Sequence, residues 1–342
     1  MPRITVIPGD GIGPEVTEEA LLLLDSLALG FEFDVLDHVN ADTFLATGVA
    51  LSDDDVKRVC SSDGALLGAI GDVRTAGTRY ARDVLLRLRS ELDLYANYRP
   101  LRLPHDRLSP LRDPARRPID CAIVRQNTEG LYADIGGALR RETVAEVAVD
   151  TEVSTHSGVQ RTIDFAMSVA SRAVCMVDKS NAVPNGGRLW QRCWRVAAAA
   201  HPELATSHLY VDVAAMRLVA DPTEFDVIVT NNSYGDILSD LAAELAGGLG
   251  LAPSVNLNAD TGFGLYEPVH GSAPDIAGTD TANPIGAVLS AALLLERLGH
   301  AAEAAAVRAA VDTTVADLRC TADIGGTLGT RAAGEAIRVT VG

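Results

Sequence analysis

Lysine is almost missing from this chain: Lys57 and Lys179 are the only two among 29 basic residues, and the other 27 are arginine. Arginine is the default cation here, so a retained lysine has one property arginine lacks, the ability to lose its proton. Positive charge is scarce overall, with 46 acidic residues and a formal net charge of −17. That argues against a sequence-independent nucleic-acid binder, which needs a basic face, and against docking on an anionic membrane. No apolar run approaches the ~20 residues of a membrane helix. The start, Met1-Pro2-Arg3-Ile4-Thr5-Val6-Ile7, lacks the plan of a signal peptide and reads as a first strand. The five cysteines (Cys60, Cys121, Cys175, Cys193 and Cys320) are scattered singly, without a Cys-x-x-Cys pair or a histidine at zinc spacing. They read as buried or incidental thiols in a reducing, cytoplasmic setting. There is no repeat, low-complexity linker or coiled coil.

What is present suits a folded protein of one or two lobes: 47% hydrophobic and 22% charged residues over 342 positions. Short apolar runs predict strands at Ile4–Ile7, Phe31–Val35, Ala65–Ile70, Cys121–Val124, Val174–Val177, Leu209–Val213 and Val227–Thr230. Helical spacing follows most of them: from Pro14, and over Gly187–Ala200, Asp236–Ala246, Ile285–Leu298 and Glu303–Leu318. Ser52-x-x-Asp55 predicts a capping box. Alternating strands and helices imply an α/β fold with a mainly parallel sheet. The Pro/Arg-rich stretch from Arg99 to Pro118 is the sharpest composition shift and is expected to cross between lobes.

Four groups of residues bear on chemistry. Gly9-x-Gly11-x-Gly13 follows a strand and opens a helix, but the third glycine comes too early for a Rossmann fingerprint, and Pro14 removes a donor. A tight turn and a cofactor contact are both open. Asp236 and Asp240 sit i, i+4 on one helix face. With Asp212 at a strand end they would suit a hard cation, Mg²⁺ or Mn²⁺, although spacing alone slightly favours a first-turn acid and a solvated one. Arg82, Leu85, Leu86 and Arg89 share another helix face. With Arg99 and Arg125 they would suit a ligand with carboxylates and an apolar group, although most of 27 arginines belong on a surface. Lys179 directly follows a strand and Tyr132 lies seven residues past Arg125. A lysine near a metal can act as a base and a tyrosine as an acid, although an isolated tyrosine normally packs in a core.

Together these segments resemble the β-decarboxylating dehydrogenases acting on isopropylmalate, isocitrate, homoisocitrate and tartrate or D-malate, and most closely the isopropylmalate branch. The resemblance runs through Ile7–Glu15, Asp93–Pro100, Val124–Tyr132, Gly235–Asp240 and Glu267–Gly278. It implies a two-lobed fold that is not Rossmann, with residues 1–94 and 247–342 forming a discontinuous nucleotide-binding lobe and 95–246 a central lobe. It further implies a homodimer with shared active sites. Asp236 and Asp240 would bind the metal with Asp212 from the other subunit, which also supplies Lys179 as base. Arg89, Arg99 and Arg125 would hold the malate carboxylates, and Tyr132 would be the acid.

The segment His270, Gly271, Ser272, Ala273, Pro274, Asp275 and Ile276 resembles the adenine-nucleotide loop, and Asn283 an adenine contact. A carboxylate at Asp275 implies NAD, because it accepts from ribose hydroxyls and repels a 2′-phosphate. Leu85 and Leu86 resemble the apolar pair that receives a branched alkyl group. They favour 3-isopropylmalate and leucine synthesis over a substrate with an extra carboxylate. Arg82 at the pocket rim keeps other malates open, including tartrate, D-malate, homoisocitrate, benzylmalate and phosphono analogues. The filled acid, base and metal positions argue against a catalytically silent regulatory subunit. Gln126 in place of glutamate, Asn232-Ser233-Tyr234 in place of Asn-Leu-Phe, and Tyr266 in place of phenylalanine depart from the family pattern near the expected site.

Overall fold

The computed structural model describes all residues, 1–342. Its strands are β1 (Arg3–Gly9), β2 (Glu32–Val35), β3 (Gly64–Ala69), β4 (Ala96–Arg102), β5 (Asp120–Gln126), β6 (Gly136–Leu139), β7 (Val147–Asp150), β8 (Ala173–Asp178), β9 (Ala205–Tyr210), β10 (Val227–Thr230), β11 (Pro253–Leu257) and β12 (Gly264–Pro268). Ten of them form one sheet in the order β2-β1-β3-β12-β11-β4-β5-β10-β8-β9, while β6 and β7 form a separate hairpin. Six neighbouring pairs of the large sheet are parallel. The three antiparallel pairs, β12–β11, β11–β4 and β4–β5, sit together at its centre. The fold is thus α/β with a mainly parallel sheet, as the alternating pattern predicts.

Local chemistry explains the helix starts. Pro14 stands in the first turn of Gly13–Ser26, where its missing N–H costs nothing. Ser52 and Asp55 make both bonds of a capping box for Asp53–Cys60. The helix Ile285–Arg297 has ten of its 13 residues buried, so it lies inside the layers, against β11, β12 and the helix Gly13–Ser26. Cutting Leu294 back to alanine there should cost roughly 2–5 kcal/mol.

Apolar packing is segregated along the sheet. Two clusters draw on residues 4–94 and 251–337, one around Leu23, Val288 and Val311, the other around Leu36, Tyr80 and Leu88. Two more draw on residues 101–252, around Ile123 and Leu238 and around Ile163 and Trp190. The stretch after Arg99 first completes β4. Its Arg107 then donates to the carbonyls of Ile324 and Val315, tying the loop to the C-terminal helices. No helix is long and apolar enough to cross a membrane.

One predicted element is wrong. Leu209–Val213 is not a strand: β9 ends at Tyr210 and a helix runs Val211–Ala220. Ala214 and Leu218, i and i+4, are its buried residues, so helical packing overrides the apparent alternation of Val211-Asp212-Val213. Asp212 therefore stands in a first helical turn, where an acid suits the helix dipole.

Candidate active site

The central antiparallel strands carry a polar seam on one face. Asn97 faces Asn256 across β4–β11 and Arg125 across β4–β5, and Ser254 faces Glu267 across β11–β12. The period of two brings these side chains to one side of the sheet. Asn97 donates to Ser254 Oγ (2.7 Å) and Asn256 Oδ1 (3.0 Å), and Asn256 donates to Glu267 Oε1 (2.7 Å). Asn127 also donates to Asn256 Oδ1, at 2.9 Å. The seam ends in two of the singled-out arginines. Arg99 Nε donates to Asn97 Oδ1 at 2.8 Å, and Arg89 Nη2 reaches Glu267 at 3.3 Å.

The helix Asn232–Leu245 lies over this seam. It starts one turn earlier than the spacing predicts, capped by Asn231, so Asp236 is inside the helix and not at its N-terminus. Gly235 lets it approach: a Cβ there would stand 2.6 Å from Arg125 Cβ. Arg99 Nη1 donates to Ser239 Oγ at 2.7 Å and to Asp240 at 3.1 Å, and its Nη2 lies 3.5 Å from Asp236. Arg125 donates to Asp236 and to Asn232 Oδ1. Tyr132 donates to Asp236 Oδ2 at 3.1 Å, and Arg125 lies over its ring. Arg99, Arg125, Asp236, Asp240 and Tyr132 therefore converge.

Burial sets the electrostatics. It pulls the guanidinium of Arg125 down to about 9, with the charges of Arg99 and Arg89 adding to the effect, so it is still charged at neutral pH. Burial likewise lowers Arg99 and raises Asp240, the latter reinforced by the like charge of Asp236. Tyr132 is raised by burial and then by Asp236, which keeps its proton on as a donor. The two buried guanidiniums, Arg99 and Arg125, persist as charges because each is paired with an aspartate of the helix above them.

A cleft of about 400 Å³ opens beside them, lined among others by Arg82, Leu86, Arg89, Thr128 and Tyr132. The buried Nε of Arg89 has no partner. Leu86 lines the cleft, whereas Leu85 packs against the core around Leu36 and Tyr80, so the expected leucine pair is split. Arg82 pairs with Asp134, a residue no motif singled out.

Lys179 and Asp212 stand apart. They pair with each other, and Lys179 lies 5.8 Å from the Tyr210 ring centre. Lys179 lowers the Asp212 carboxyl, chiefly by its hydrogen bond. Asp212 does not join Asp236 and Asp240 within the chain, and no three His, Cys, Asp or Glu side chains form a cation cage. Beside Lys179, buried Asp178 accepts from Gln191 and pairs with His208.

The loop His270–Ile276 docks on the glycine turn, backbone to backbone. Ile12 N donates to Ser272 O at 2.8 Å, and a Cβ on Gly11 would stand 1.9 Å from that oxygen. Close approach to a neighbouring loop thus accounts for Gly11, whose φ is +58°. A cavity of about 380 Å³ lies between Gly11, Glu15, Gly278, Asp280 and Arg331. Asp275 is exposed, and the buried Nε2 of His270 has no partner. Asn283 is engaged within the chain, capping Ile285 N and donating to Asp323.

The departures sort differently from expectation. Gln126 holds the turn to Thr128 and Glu129. Asn232 links Arg125 to the carbonyl of Glu129, and Tyr234 shares a small recess with Lys179. Tyr266 is not near the site: it sits in the core around Leu294, on the face of β12 opposite Glu267. Asn97, Asn256, Ser239 and Glu267 are functional-site residues that no spacing or chemistry in the sequence singles out. For the strand residues Asn97, Asn256 and Glu267 the available signal is polar side chains interrupting apolar strands; Ser239, inside the helix Asn232–Leu245, carries no such signal.

Residues 3–337 match the family described as isocitrate/isopropylmalate dehydrogenase. A 3-isopropylmalate dehydrogenase of Leifsonia xyli subsp. xyli is 46% identical over 326 residues, covering 92% of this chain and 90% of the relative. The isocitrate dehydrogenase of Methylococcus capsulatus superposes with a TM-score of 0.89 at 33% identity, covering 100% of this chain and 99% of its own. A β-decarboxylating dehydrogenase of Thermococcus kodakarensis gives 0.81 at 35%, covering 100% and 96%. By sequence and by fold alike, this chain belongs to the isocitrate/isopropylmalate dehydrogenase family and is an oxidoreductase.

Proposed function

We propose that the protein oxidatively decarboxylates a 3-substituted (R)-malate with NAD and a divalent metal, Mg²⁺ or Mn²⁺. The substrate we favour is 3-isopropylmalate, converted to 4-methyl-2-oxopentanoate in leucine synthesis. The observation that carries this is the meeting of Arg99 and Arg125 with Asp236, Asp240 and Tyr132 beside a cleft lined by Arg89 and Leu86. The name borne by the Leifsonia relative supports the substrate.

Asp236 and Asp240 would hold the metal with Asp212 of a second copy. The fit is chemical: two hard oxygen donors on one helix face, one of them raised by burial and by its neighbour's charge. The loop His270–Ile276 would hold the nucleotide. Its unpartnered His270 Nε2 and exposed Asp275 suit a ligand with ribose hydroxyls. When bound, the metal supplies Lewis-acid charge and NAD the oxidant.

The protein's own residues do the rest. Arg89, Arg99 and Arg125 bind the two malate carboxylates and orient C2 and C3. Lys179 of a second copy takes the proton of the C2 hydroxyl. Tyr132 returns a proton to the carbon that has lost CO₂, a role suited to a hydroxyl held protonated.

A homodimer with shared sites fits two features, the isolated pair Lys179–Asp212 and the β6–β7 hairpin. The hairpin and its approach expose Ile135, Leu139, Val147 and Val149, and a lone two-stranded hairpin is marginal without a partner surface. A central lobe of residues 95–246 between the two ends of the chain fits the segregated apolar clusters, and a reducing cytoplasm fits five free thiols. The test is a panel of 3-substituted malates, following NADH formation and CO₂ release with NAD and Mn²⁺. We expect 3-isopropylmalate to lead; faster turnover of another member would overturn that choice. Replacing Leu86→Arg should shift preference from alkyl toward carboxylate substituents, and unchanged preference would count against the pocket assignment.

A further inference from the structure

Arg82 conflicts with an alkyl-accepting wall, because it places a cation on the same helix face as Leu86. Asp134 resolves the conflict. It directly follows the short turn Leu131–Ala133, two residues past Tyr132, and its carboxylate takes the Arg82 guanidinium. The pair joins the helix after β3 to the segment after β5, across the cleft. Asp134 holds a left-handed backbone, φ 60° and ψ 36°, which few L residues adopt and aspartate and asparagine tolerate best.

The other arginines lining the cleft have acidic partners of their own. Arg79 pairs with Asp83, Arg87 with Glu91 and Asp53, and Arg89 with Glu267. Arg82 has only Asp134, and Asp134 only Arg82. Remove that one carboxylate, and the cleft acquires a free cation on its specificity face.

Resting on the malate reading above, we propose that Asp134 is a specificity-determining residue. By holding the charge of Arg82 it keeps the wall beside Leu86 neutral, so an alkyl group at C3 is accepted and a carboxylate-bearing group is not. A substituent carboxylate would have to share a guanidinium already engaged and approach a second negative charge, so rejection is built into the pair.

The experiment compares 3-isopropylmalate with isocitrate, which is malate carrying a carboxymethyl group at C3. Asp134→Asn keeps the size and the left-handed backbone but loses the charge. It should raise the ratio of kcat/KM for isocitrate over isopropylmalate by about fivefold, the upper range for a partly exposed pair. Asp134→Gly, which relieves the backbone, should move the ratio the same way. Adding Arg82→Ala to Asp134→Asn should return it to the wild-type value. Equal changes for both substrates, or a gain that survives the loss of Arg82, would overturn the proposal while isopropylmalate turnover stands. Wild-type protein that turns over neither 3-substituted malate would overturn the malate reading itself, and this inference with it.

Discussion

The two regions that carry the candidate chemistry are built in opposite ways. Around Asp236, each arginine is buried and held by several groups, and the seam behind it runs through Asn97, Asn256 and Glu267 to Arg89. At the far end of the sheet, Lys179 and Asp212 share one ion pair, with Asp212 largely exposed. Such an exposed pair adds little stability and does not hold itself in place. One region is preorganised by its own chain; the other offers a base and a carboxylate with no site around them. That contrast is the physical support for a site completed by a second copy.

The sharpest break of the comparison is catalytic. Lys179→Ala should lower kcat by roughly 10²–10⁴, and Asp236→Asn, which loses a proposed metal-holding carboxylate, should also leave little activity. Mixing the two inactive proteins under conditions of subunit exchange should recover activity, because one mixed site keeps both groups. Steady-state NADH formation reads this, and no recovery from proven mixed dimers would place the two regions in separate roles.

The seam gives the next largest effect. Asn256→Leu leaves Asn97, Asn127 and Glu267 short of partners, at a cost of about 1–3 kcal/mol. It should also raise KM for the malate, since Arg89 loses its anchored Glu267. Urea unfolding and kinetics measure the two arms. A change in stability without one in KM would make the seam structural only.

Acid should also act where β8 and β10 begin, at Asp226. Burial pushes Asp226 up, but backbone N–H donors from Ala173, Arg172 and Ser171 outweigh it and hold its carboxyl below the usual range. A depressed folded value means stability present above the unfolded value near 4 and lost as pH falls through the folded one. Asp226→Asn should remove that part of the pH dependence, visible in thermal melts from pH 6 down to 3. The smallest effect concerns thiols. Exposed Cys60 should react with a thiol reagent ahead of Cys121, which burial raises to about 12.

The strands that were legible in the sequence are the apolar ones, such as β3, with every residue buried, and β10, whose bounds match expectation. β4, β11 and β12 were not legible, and the reason is the site itself. Asn97, Arg99, Asn256 and Glu267 interrupt their apolar pattern because they form the seam. Asp212 was misplaced for a related reason: Val211 and Val213 alternate around it, and only packing of Ala214 and Leu218 selects the helix.

Fold class, family and most residues of the arginine–aspartate cluster can be read from the chain alone, because they are written in local periodicity and in contiguous motifs. It takes the folded molecule to show that Leu86 meets the cleft while Leu85 does not, that Asp134 answers Arg82, and that Asp212 stands away from Asp236. Each of those depends on which long-range segments pack together, and spacing along a chain says nothing about the distance across it.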